Sequence, residues 1–112
     1  MITDDLQTVL LTAASNVYHI IAAPKPPLPY VVFDFDDDAP TTYVDGTEGL
    51  ANYQAQVEIF AATPTEARTI AADARAAMLA ASTFKSVCRG FRDIFDFETN
   101  RPGVRVLFSI WQ

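Results

Sequence analysis

Residues 52–81 read NYQAQVEIFAATPTEARTIAADARAAMLAA, and the change of period inside this stretch decides the fold class. From Asn52 to Phe60 the chain alternates, with Tyr53, Ala55, Val57 and Ile59 on one side and Gln54, Gln56 and Glu58 on the other. A period of two predicts a strand with one buried and one wet face. Thr63-Pro64-Thr65-Glu66 follows at once. It offers an N-cap, a proline at the first helical position and a glutamate three residues on, the pattern of a capping box. Ala67, Ile70, Ala71, Ala74, Met78 and Ala81 then recur at helical spacing, while Arg68, Asp73 and Arg75 lie on the other side. A helix to about Ala81 is predicted, with a face of small side chains that can lie close against a sheet.

Working outward, Tyr30-Val31-Val32-Phe33-Asp34-Phe35 is β-branched and aromatic and predicts a strand. Before it, Pro24, Pro26, Pro27 and Pro29 forbid both helix and ladder, so that stretch is a stiff connector. Val17 to Ala23 reads as a short apolar strand or extended segment. At the N-terminus Thr3 is placed to cap a first helix, with Asp4 and Asp5 in its opening turn and Leu6, Val9, Leu10 and Ala13 as its stripe. Ser15-Asn16 ends it. Thr41 to Val44 offers one more short strand, between Asp36-Asp37-Asp38-Ala39-Pro40 and the glycines Gly46 and Gly49. After the long helix, Val87 to Glu98 predicts a strand in which Gly90 marks a bulge. Asn100-Arg101-Pro102-Gly103 reads as a turn, and Val104 to Trp111 as a last strand with Val104, Val106, Phe108 and Ile110 inward. The expectation is one α+β domain over residues 1–112. It has two helices on one face of a mostly antiparallel sheet of four to five strands, in the order α-β-β-β-α-β-β.

The totals agree with one such unit. A chain of 112 residues, half of them apolar and a fifth charged, can bury a core without disulfide or metal. Cys88 is the single cysteine and cannot pair within the chain. Met1-Ile2-Thr3-Asp4-Asp5 is acidic where a secretory leader needs basic residues, and Leu6 to Pro24 is too polar to span a bilayer. The sequence therefore predicts a soluble protein that stays where it is made. A net charge of −6 repels phosphate and speaks against tight nucleic-acid binding.

Chemistry is sparse. His19 is the one histidine, far from Cys88 and without metal-ligand spacing, so no metal and no cofactor are expected. No nucleophile elbow and no phosphate-cradling glycine loop is present, so no catalytic residue is assigned. Asp34, Asp36, Asp37 and Asp38 crowd one strand end, yet they lack the distal glutamate of a calcium loop and read as a solvated acidic segment. Arg89, Arg92, Arg101 and Arg105 gather in the C-terminal hairpin. They either pair across strands with Asp93, Asp96 and Glu98 or form a basic patch that meets the acidic loop of a neighbouring copy. Trp111 is either tucked over the core or presented to a partner. The candidate subunit-interface residues are Asp36, Asp37, Asp38, Tyr43, Arg89, Arg92 and Trp111.

In order and spacing, the first helix, the proline-led strand Pro27 to Phe33 and Gly46-Thr47-Glu48-Gly49 resemble one known family. The strand Asn52 to Ala61 and the helix opening at Thr65-Glu66-Ala67 and carrying Ala72 to Met78 continue the likeness. The family is the tail-terminator or tail-completion proteins of long-tailed phages and gene transfer agents. Neither Asp36-Asp37-Asp38 nor the hairpin from Phe91 to Trp111 matches a family motif. The resemblance implies a non-enzymatic virion protein of the tail or neck, assembled in the host cytoplasm. It implies a hexameric ring that stops tail-tube growth, touches the tail tube protein and the head–tail connector protein, and lets DNA pass without specific binding. The alternatives are a dimeric small-molecule-binding or regulatory α+β module, or a small hydrolase using His19 as its base.

Overall fold

The computed structural model describes residues 2–19, 28–35, 42–43, 51–97 and 100–112. The elements are α1 (Ile2–Leu10), β1 (Val17–His19), β2 (Tyr30–Phe35), β3 (Thr42–Tyr43), β4 (Ala51–Phe60), α2 (Pro64–Ala80), β5 (Lys85–Asp96) and β6 (Arg101–Trp111). Five strands run side by side as β1-β2-β4-β6-β5, and the two-residue β3 pairs with the start of β4. Every pairing is antiparallel except β1 with β2. The class and order are those the sequence predicts. Residues 20–23, the prolines 24–27, the acidic run 36–38 and the glycines 46 and 49 lie outside the described residues.

The period-two stretch becomes β4, whose Ala55, Val57 and Ile59 are at most 2% exposed. Val31 and Phe33 of β2 and Val104, Val106, Phe108 and Ile110 of β6 lie on the same side. Over them sits α2, which buries Ala67, Ile70, Ala71, Ala74 and Met78, the expected stripe. Thr63 is extended at its N-cap and its Oγ1 accepts the Glu66 backbone N–H at 3.2 Å, with Pro64 at the first turn. Such a cap contributes on the order of 1 kcal/mol. Leu6 and Leu10 of α1 close the core beside α2.

The structure corrects three boundaries. Thr3 lies inside α1, which begins at Ile2 and buries Ile2, Leu6 and Leu10 (a spacing of four), with Val9 and Ala13 only partly covered. β5 starts two residues before Val87, at Lys85. The predicted turn at 100–103 is shorter, because Arg101, Pro102 and Gly103 already belong to β6. Asn100 takes the bend with φ 58°, a left-handed conformation asparagine tolerates. Pro102 sits next to the strand's first residue, where its missing N–H costs little, and its carbonyl accepts the Ala61 N–H at 3.1 Å. Gly90 does mark a bulge: the register between β5 and β6 shifts between Cys88 and Gly90.

Candidate interaction surface

Because both helices cover one face of the sheet, the outward side chains of β2, β4, β6 and β5 form an opposite face of their own. The register sets them in rows. Val32, Glu58, Arg105 and Arg92 lie side by side across four strands, and Asp34, Gln56, Leu107 and Gly90 form the next row. Directly opposed same-face residues are neighbours within reach of each other. Arg105 accordingly bonds Glu58 at 3.1 Å, and both are about one third exposed. On its other side Arg105 faces Arg92, a like charge. The buried Nε of Arg105 finds no acceptor. A third row links Gln54, Ser109 and Arg89: Ser109 Oγ donates to Gln54 Oε1 at 3.0 Å and accepts from Arg89 Nε at 2.8 Å.

Ser109 is fully buried. Ser109→Ala removes the only oxygen of that row lying between Arg89 and Gln54, and we expect a loss of about 1–2 kcal/mol in denaturant unfolding. A cost under about 0.3 kcal/mol would mean that the row is ornamental.

The sequence-derived candidates divide. Arg89 and Arg92 are exposed on the open face, Arg89 held by Ser109 and Arg92 opposite Arg105. Trp111 is half-buried at the far end of β6, opposite Asn52 and Lys85. Tyr43 pairs with Ala51 in the short β3 strand. Asp36, Asp37 and Asp38 lie outside the described residues. Two of the expected hairpin ion pairs are replaced by others, since Asp93 bonds Arg68 of α2 at 2.7 Å and Arg105 takes Glu58 of β4. Sequence reasoning missed these partners because both come from outside the hairpin. The outward alternation of Gln54, Gln56 and Glu58 was the signal available for Glu58.

Two shallow hollows flank Leu107 on this face. One, of about 190 Å³, is lined by Gln56, Gly90, Phe91, Arg92, Arg105 and Leu107, where the bulge glycine leaves open space. The other is smaller, about 150 Å³. A wider cleft of about 390 Å³ opens between α1 and the end of α2, lined by Thr8, Val9, Thr12, Ala77 and Ala81 among others. None of the three contains His19 or Cys88. His19 stacks on Phe33 with ring centres 4.9 Å apart, and Cys88 packs against the core. Among the described residues no three metal-ligating side chains come together, and no helix is long and apolar enough to cross a membrane.

Fold and surface thus define a small α+β protein with one helical layer, whose second sheet face is polar and arginine-bearing. The family model described as tail completion protein gp17 matches residues 3–112, and the chain belongs to that family. Its fold is similar to that of a chain in the solved virion of a native gene transfer agent (GTA) particle. The TM-score is 0.60 at 15% identity, over 98% of this chain and 90% of the other. No curated protein matches its sequence.

Proposed function

We propose that this chain is a structural virion protein of the tail and neck, one copy in a closed, probe-free ring that ends the tail tube and joins it to the head connector. The observation that carries the reading is membership of the tail completion family over nearly the whole chain. The gene transfer agent virion that shares its fold supports a place in such a particle. A ring, hexameric in this reading, is closed by heterologous contacts, in which two different patches of one subunit meet. Arg92 is a suitable member of one patch: set against Arg105 across the strands, it gains from a partner's carboxylate what its own chain withholds. The opposite patch would be drawn from Asp36, Asp37, Asp38 and Tyr43, with Arg89 and Trp111 beside Arg92. Tail tube protein and connector protein are the partners above and below. The net charge of −6 favours letting DNA slide through the ring without holding it. No catalytic step enters this role.

Deleting the gene in the particle-producing host should leave heads and tails unjoined, or tails of irregular length, in electron micrographs. Normal joined particles would remove the proposal.

A further inference from the structure

β5 is the last strand of the described sheet, bonded to β6 on one side only. Twelve residues of edge expose about 40 Å of unpaired backbone. Edges of that length invite strand pairing, and monomeric proteins blunt them with prolines, lysines and charge. Here there is no proline and one lysine, Lys85, at the strand's first position. Large apolar side chains collect instead: Val87, Phe91 and Phe95 are 41–49% exposed, and Phe97, just past the strand, is 87% exposed. Phe95 and Phe97 meet edge to face at 5.0 Å. From α2, Arg75 reaches over Phe91 at 6.0 Å and Arg68 bonds Asp93, so the helix and the edge form one continuous strip.

Charge selects what covers it. Residues 1–60 carry nine acidic side chains and one basic, a net of −8, whereas residues 61–112 carry five acidic and seven basic, a net of +2. A β5 edge laid on another β5 edge would set arginine against arginine and close a dimer. The same edge laid on the N-terminal half of another copy pairs opposite charges and leaves each copy one donor and one acceptor surface. The geometry points to β5 and its aromatic flank as the apolar centre of a directional contact, seated on the acidic N-terminal half of a second copy. This rests on the ring reading above and adds its polarity and its anchor.

Particles are assembled in the native host with p-benzoylphenylalanine in place of Phe97, an aromatic exchange at an exposed site, and separately in place of Leu79, which is 61% exposed on α2. After irradiation we expect a product of twice the 12.3 kDa chain mass whose cross-linked peptides join the probe to residues 1–60 of another copy. Cross-links to residues 61–112 of another copy, to a different virion protein, or to nothing at both positions would each overturn the inference while leaving a ring intact. A chain missing from purified native particles would instead sink the ring reading itself, and this inference with it.

Discussion

Gly103→Ala is expected to destabilise the protein by about 3 kcal/mol, near the upper end for overpacking a well-filled site. At position 103 a Cβ would stand 2.5 Å from the Ile59 carbonyl oxygen and 2.8 Å from Cδ1 of Phe60. The first is a backbone atom of the adjacent strand, so no rotamer change relieves it. β4 and β6 would have to separate where Phe60 pairs with Gly103 and Ile59 with Val104. For a chain of this length the melting midpoint should fall by roughly 10 °C or more. Gly90→Ala is the matched control, since a Cβ there meets nothing within 4 Å, and its midpoint should move by no more than about 3 °C. Phe60→Ala in the Gly103→Ala background should return part of the loss, because one of the two clashes is with that ring. Equal melting of the two single glycine variants would show that the strands do not approach so closely.

The same glycine shows where sequence reading stops. Asn100-Arg101-Pro102-Gly103 is turn chemistry by composition, and three of its four residues are strand. Gly103 is there because β4 and the Phe60 ring leave no room for a side chain, and Phe60 lies 43 positions earlier in the chain. Local signals were legible where local physics decides, as in the alternation of β4, the cap at Thr63 and the spacing of α2. They failed at Thr3, where the burial of Ile2 extends the helix past its apparent cap. On the open face, the arginines were visible as a group, but Glu58 and Arg68 enter their neighbourhood only through the sheet order. The strand order likewise leaves β5 at an edge, which no property of residues 85–96 announces.

Phe108→Ala should be more damaging still, at about 4 kcal/mol within the range for buried phenylalanine. Phe108 is 1% exposed on β6, the strand between β4 and β5. Its cross-strand neighbours are small: Ala55 on one side and Cys88 on the other. The helix packed on β6 buries mainly alanines, namely Ala67, Ala71 and Ala74. Short side chains cannot swing into a vacated ring site, so most of the cavity persists and the cost stays high. Phe108→Leu should retain most of the stability, losing about 1.5 kcal/mol. In urea the Ala variant's midpoint should drop with its slope unchanged, the sign of a weaker fold rather than a different one. A loss below about 1.5 kcal/mol would mean that the alanine layer closes over the gap. Natural domains have about 5–15 kcal/mol in hand, so this variant should lose assembly by unfolding. Replacing Phe97, which is largely solvent-exposed, should weaken copy-to-copy contact without moving the melt. That difference separates the residue that builds the sheet from the one that presents its edge.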